Sequence, residues 1–160
     1  MTIVRTFDDL LVDVADRRDF PAVRALIVEG LTQRWRVYDP SRNPDLEAFD
    51  THYASALTLV ARRAGAIVGC GTLLLEAPGV ARIVRMSVAA AHRRSGVGRA
   101  VLEHLIEHAV RLGYAQIVLE TSADWHSAVA FYDSCGFLRT QQRDGDQHFR
   151  LDLDARRHDT

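Results

Sequence analysis

Arg93-Arg94-Ser95-Gly96-Val97-Gly98 is a basic, glycine-containing loop that opens a long apolar stretch running to Gly113. A glycine loop entering a helix gathers unpaired backbone N–H groups and the positive end of the helix dipole at one point, which suits an anion. Arg93 and Arg94 add full charges matched to phosphate. Tyr132 follows in the next helical segment, where its phenol offers a proton donor beside whatever the phosphates hold in place. A phosphate anchor plus an acid in one small α/β unit is a specific combination.

The elements that must position these residues are legible from pattern. The strand RIVRMSV, ending at Val88, leads into the loop, and a second strand, QIVLET, ends near Glu120. Between them the helix Gly98–Leu112 carries Val101, Leu105, Ala109 and Leu112 on one face and Leu102, Ile106 and Val110 on another, a breadth that suits deep packing against a sheet. Upstream, residues 10–15 read as a first strand, and Asp19 and Pro21 start a helix that runs to Trp35. YDPSRNPD is turn chemistry, and Leu46 to Tyr53 reads as a second helix. Leu57–Ala61 and Ala66–Leu75 form strands about the turn at Ala64-Gly65, and a third partner runs from Ala81 to Val88. After the Tyr132 helix, Phe137–Arg143 and His148–Leu153 form a hairpin about Asp144-Gly145-Asp146. The expected organisation is an extension (1–9), one α/β domain (10–153) and a fraying tail (154–160).

Composition sets bounds on partners. At 160 residues, 48% apolar and 26% charged, the chain is long enough for one ordinary globular domain. A net charge of −1 gives no global basic field, so nucleic acid is not an expected partner. The N-terminal residues lack an apolar leader core, and AGAIVGCGTLLL is too short and glycine-broken to span a bilayer, so no membrane partner and a cytoplasmic location are expected. Cys70 and Cys135 have no metal-type spacing and read as buried, inert thiols. All 20 basic residues are arginine, which excludes a Walker-type loop and leaves no lysine side chain for self-acetylation.

The motifs resemble those of the GCN5-related N-acetyltransferase (GNAT) family. Its Arg/Gln-x-x-Gly-x-Gly/Ala segment is matched by Arg93 to Gly98, and its later Ala-x-x-Leu/Phe-Tyr-x-x-x-Gly-Phe by Ala128, Phe131, Tyr132, Gly136 and Phe137. The two motifs cover about a third of the chain. Members with a carboxylate base on the fifth strand carry Glu twelve residues before the tyrosine, which is the spacing of Glu120. The resemblance implies a single-domain α/β fold with a mixed, mostly antiparallel central sheet flanked by helices. It also implies acetyl-CoA as co-substrate, no metal, and transfer of acetyl to a primary amine by direct attack. The pyrophosphate would lie on the backbone of Arg94, Ser95, Gly96, Val97, Gly98 and Arg99. Met86, Ser87 and Val88 would pair with the pantetheine amides. Tyr132 would be the acid and Glu120 the base.

Two positions depart from the common pattern. Trp125 stands where many relatives have an asparagine that contacts pantetheine, so it reads as an anchor under the strand-to-helix turn, with a pantetheine-shelving role as the other reading. Arg82 stands where some relatives carry a catalytic glutamate. The expected acceptor is a small-molecule amine or amino acid, with a peptide N-terminus or protein lysine as the alternative. It would lie on the two early helices, among Trp35, Tyr38, Asp39, Glu47, Asp50 and Tyr53, where aromatics and carboxylates suit a cationic amine. A homodimer is common in the family.

Three rival readings come from other classes. Strand, Gly-x-Gly, helix and a strand ending in Glu120 mimics a dinucleotide fingerprint. Seven residues separate Val88 from Gly96, however, and Val101 occupies the third-glycine position. His104-Leu105-Ile106-Glu107-His108 matches a zinc-peptidase pattern, but a surface stripe on the loop's own helix explains it more simply. A non-catalytic acyl-CoA-binding module on the same fold is the third.

Overall fold

The computed structural model describes residues 9–157. Seven strands, β1 (Leu10–Val14), β2 (Leu57–Arg63), β3 (Ala66–Ala77), β4 (Val80–Val88), β5 (Gln116–Ser122), β6 (Leu138–Arg143) and β7 (Asp146–Asp152), form one sheet in the order β1-β2-β3-β4-β5-β7-β6. The helices are α1 (Phe20–Trp35), α2 (Pro44–Glu47), α3 (Phe49–His52), α4 (Val97–Arg111), α5 (His126–Ser134) and α6 (Asp154–Arg157). The β4–β5 pair is parallel, whereas β1–β2, β5–β7 and β6–β7 are antiparallel. This is the mixed, mostly antiparallel sheet flanked by helices that the sequence leads one to expect.

The chain divides into two compact units. The first runs to Thr72 and includes Arg85–Leu105; the second comprises Leu73–Val84 and the chain from Ile106 onward.

In the first unit, β1 pairs with β2 from Leu10–Arg63 to Val14–Leu59. Helix α1 begins after Asp19 with Pro21 in its first turn, buries Val23, Leu26 and Ile27, and stops at Arg36 in the left-handed region. Two glycines in β3 let the start of α4 lie directly on the sheet. A Cβ at Gly69 would stand 2.6 Å from Val97, and one at Gly71 would stand 2.5 Å from Met86 and 2.9 Å from Leu105. Two pieces replace the single helix expected over Leu46–Tyr53. Helices α2 and α3 are one turn each and break at Ala48, whose φ is −132°. The cause is visible in the carbonyl of Leu46, which a continuous helix would give to the amide of Asp50 and which instead accepts from Nε of Arg24 at 2.8 Å.

In the second unit, β5 and β7 pair along seven residues, from Gln116–Asp152 to Ser122–Asp146. The β4–β5 ladder has three pairs, Val80–Gln116, Ala81–Ile117 and Arg82–Val118. The β6–β7 turn places Asp144 (φ 54°) and Gly145 (φ 85°) in the left-handed region, which matches the twist of the flanking strands. Residues 154–157, expected to fray, form the single turn α6; residues 158–160 lie outside the described part, as do 1–8 of the expected extension. Leu112, placed by periodicity on the packed face of α4, is 63% exposed because the helix ends at Arg111.

Candidate active site

The Arg93–Gly96 loop runs into the helix α4. A short 3-10 turn (Ala90–His92) gives way to an extended Arg93, then Arg94 (φ 63°) and Gly96 (φ 89°) turn into the left-handed region. The first amide of α4 with a helical acceptor is that of Ala100, which bonds to the carbonyl of Gly96 at 3.0 Å. The amides of Val97 and Gly98 lie ahead of that bond, in the first turn of the helix. Nothing lies within 4 Å of where a Cβ on Gly96 would be, so the backbone there is open to approach.

The two loop arginines differ. Arg93 turns its guanidinium toward the protein, donating to the carbonyl of Val88 at 3.1 Å and to Oε1 of Gln33 at 2.7 Å. Arg94 is exposed. A further arginine reaches the loop from the end of β2. Nη1 of Arg63 lies 3.1 Å from Nδ1 of His92 and 3.4 Å from Oγ of Ser95. No sequence pattern indicated Arg63 or His92, because the pair is 29 residues apart and joined only by the fold.

On β4 the side chains alternate as in any strand. Met86 lies against the position of Gly71, toward Val101 and Leu105 of α4. Ser87 points to α1, where its hydroxyl meets the carbonyl of Leu26 at 3.4 Å. Arg85 has φ 56°, which costs a non-glycine residue roughly 1 kcal/mol or more. Its side chain is held by Asp45 (Nε 2.8 Å, Nη2 2.7 Å) and by Oδ1 of Asn43 (3.1 Å), while Tyr53 donates to Asp45 at 2.5 Å. Burial pushes the Asp45 carboxyl up, but the hydrogen bonds from Arg85 and Tyr53 outweigh it and hold the group below its ordinary value. Burial and the bond to Asp45 push the Tyr53 phenol up to about 12. This cluster fixes a left-handed residue in mid-strand, one position before the Met86–Val88 segment, and was missed at the sequence level.

The carboxylates expected to attract a cationic acceptor are already engaged. Glu47 accepts from Tyr38 and from Arg24, each at 2.6 Å, which holds its carboxyl below the usual range. Asp39 bonds to the amide (3.0 Å) and hydroxyl (2.7 Å) of Ser41, and Asp50 meets Arg17 at 3.2 Å. Trp35 is exposed, with the guanidinium of Arg34 4.4 Å from its ring centre.

In the second unit, Tyr132 is buried in α5 among aromatic rings: Phe131 (5.1 Å), Phe149 (5.6 Å) and Phe137 (5.9 Å). Burial pushes its phenol well above the ordinary value, so it stays protonated throughout the neutral range. Helix α5 closes at Gly136 (φ 91°), which accounts for the glycine of the motif, and the amide of Phe137 bonds back to the carbonyl of Tyr132 at 3.1 Å. Glu120 is exposed on β5 and ion-pairs with Arg82, which also meets Glu76 at 2.9 Å. Trp125 precedes α5 and is 41% exposed, so it is not the buried anchor expected from sequence. Both cysteines are buried, and burial raises the Cys70 thiol to about 12.

Among the described residues, no group of three or more His, Cys, Asp or Glu could hold a metal ion. His104 instead directs Nδ1 to the carbonyl of Ala100 at 2.8 Å. No described helix is long and apolar enough to cross a membrane.

Comparison with known proteins agrees with this architecture. The model of the "Acetyltransferase (GNAT) family" matches residues 20–137. A probable N-acetyltransferase family 8 member 5 of Mus musculus is 35% identical over 86 residues, which is 51% of this chain and 38% of that protein. The IAA acetyltransferase of Azospirillum brasilense is 35% identical over 80 residues, 49% of this chain and 52% of that protein. The matched parts thus span about half or less of those relatives. Among solved structures, a GNAT-family acetyltransferase from Staphylococcus aureus superposes with a TM-score of 0.81 at 18% identity, covering 91% of this chain and 99% of that one. The PaiA N-acetyltransferase from Thermoplasma acidophilum, solved with coenzyme A, gives 0.79 at 13% identity over 89% and 98%. A family match over 20–137 takes in the loop, Glu120, Tyr132 and well over half of the sequence: this chain belongs to the acetyltransferase (GNAT) family.

Proposed function

We propose that the protein transfers acetyl from acetyl-CoA to the primary amine of a small molecule or amino acid by direct attack. The observation that carries this reading is the loop Arg93–Arg99, with left-handed turns at Arg94 and Gly96 leading into the first turn of α4. Such a loop suits the coenzyme's pyrophosphate. Met86, Ser87 and Val88 lie past the last β5-paired residue of β4, Arg82, which supports a role for this stretch against the pantetheine amides.

The neutral amine attacks the thioester carbonyl, the C–S bond breaks, and one N–H proton ends on the coenzyme sulfur. Tyr132 is the proposed donor to that sulfur. Its raised pKa keeps the phenol protonated, but also makes full proton release uphill, so its main contribution is a hydrogen bond to the departing thiolate. Glu120 is the proposed base, and its lone pairs are shared with Arg82. A base so occupied favours acceptors that need little help. The α-amine of a peptide is about 10–15% neutral at pH 7, against about 0.04% for a lysine-like amine. Among polypeptide acceptors, the alternative reading, an N-terminus therefore stands ahead of a lysine.

The test is a thermal shift with acetyl-CoA, NAD and zinc in parallel, followed by turnover on an amine panel. Ligand at 100 times its Kd adds about 2.7 kcal/mol, or roughly 5–10 °C. A shift with acetyl-CoA alone is expected; a shift with NAD or zinc instead refutes the reading. Tyr132→Phe should lower kcat at least tenfold while leaving acetyl-CoA affinity within about twofold. Unchanged turnover removes Tyr132 as the donor. Coenzyme binding without turnover of any amine marks a non-catalytic acyl-CoA-binding module.

A further inference from the structure

Three half-buried arginines in the first unit meet carboxylates. Arg24 meets Glu47 at 2.6 Å, Arg62 meets Asp19 at 2.7 Å, and Arg85 meets Asp45 at 2.7 Å. Arg63 is the next residue after Arg62 and also half-buried, but it meets an imidazole and a hydroxyl instead. A guanidinium only donates, so Nδ1 of His92 must carry the lone pair in the 3.1 Å contact, which places the ring proton on Nε2. Ser95 gives its hydroxyl proton to the carbonyl of His92 at 2.5 Å and accepts from Arg63 at 3.4 Å. These bonds aim Arg63 at the loop without cancelling its charge. Its Nε and Nη2 make no hydrogen bond among the described residues. Leaving a partly desolvated cation uncompensated is unfavourable, and a dianion would compensate it.

The pyrophosphate already has a match in the amides that open α4, and the guanidinium of Arg93 is spent on Gln33 and Val88. We propose that Arg63, oriented by His92 and Ser95, is a second phosphate-binding point that takes the 3′-phosphomonoester on the ribose of coenzyme A. The proposal rests on the acetyl-CoA reading above and adds to it a basis for selecting the phosphorylated coenzyme. A phosphomonoester carries a charge of about −1.5 to −2 at pH 7 and accepts paired donors, which a planar guanidinium supplies.

The experiment measures Kd for acetyl-CoA and for its 3′-dephospho form, with the wild-type protein and with Arg63→Gln. The wild type should prefer acetyl-CoA by tenfold or more. Arg63→Gln should bind acetyl-CoA about tenfold more weakly, bind the dephospho form as the wild type does, and so lose the preference. Equal weakening toward both forms would put Arg63 on the pyrophosphate and overturn the 3′ assignment; unchanged affinity for both forms would overturn any phosphate role. A wild-type protein that binds both forms equally overturns the proposal even if the variant fails to fold. If the wild type binds neither form, the acetyl-CoA reading itself falls and the proposal falls with it.

Discussion

Gly69→Ala tests whether the anion loop is positioned by a side chain that is missing from β3. The added Cβ would lie 2.6 Å from Cγ1 of Val97, against roughly 3.5–4.0 Å for a comfortable carbon contact. Val97 is 1% exposed and begins α4, and a β-branched residue in a helix has essentially one rotamer. It cannot swing aside, so the first turn of α4 must move by about an ångström. Overpacking of this kind costs about 1–3 kcal/mol, or roughly 2–12 °C in Tm. The displaced turn carries the amides of Val97, Gly98 and Arg99, so acetyl-CoA affinity should fall about tenfold. Val97→Ala alone leaves a cavity and destabilises by about 1–3 kcal/mol. In the double variant the new methyl occupies that cavity, and the two changes should couple favourably by about 1 kcal/mol or more. Denaturant unfolding of the four proteins, with coenzyme titrations beside it, gives the cycle. Strictly additive losses, or a Gly69→Ala protein with wild-type stability and affinity, would refute the positioning argument.

The Asp45–Tyr53–Arg85 cluster predicts a signature at each end of the pH scale. The folded pKa of Tyr53, about 12, lies above an unfolded value of about 10. Its contribution is therefore complete below pH 10 and is lost between about 10 and 12, by at most about 2–3 kcal/mol. Denaturation midpoints of wild type and Tyr53→Phe should converge across that window, and parallel curves would show that the phenol is not shifted. Asp45 has the opposite sign: its folded pKa is lowered, so its contribution is complete above the unfolded value near 4 and fades as pH falls through the folded one. Glu120→Gln should lower kcat at least tenfold while leaving acetyl-CoA affinity within about twofold. Turnover unchanged by that substitution would exclude Glu120 as the base.

The strands, α1, α4, α5 and the loop geometry follow local rules: periodicity, a proline in the first turn, and glycine where φ is positive. Those rules work because the residues involved are neighbours in sequence. What they miss is long-range. Asp45 and Arg85 are 40 residues apart, and Arg63 and His92 are 29 apart, with no spacing that marks either pair. The break at Ala48 is of the same kind, since Arg24 takes a carbonyl that helical pattern alone assigns to the helix. The motif pointed to Glu120 and Tyr132, yet the ion pair on one and the ring cage around the other come from the fold.

The ladder between β5 and β7 bears on when the chain becomes competent during synthesis. Glu120 stands opposite His148, and the ring of Phe149 lies against Tyr132. Both supporting residues are translated after the residues they support. A nascent chain stopped before Asp146 would hold every motif residue, but it would lack the longest ladder of β5 and one of the rings around Tyr132. Gly69, Arg63 and His92, which lie against the loop and the start of α4, are all translated by that point. Under the proposed function, these supports would be in place on the emerging polypeptide before those of Glu120 and Tyr132, and an incomplete chain would bind coenzyme before it could turn it over.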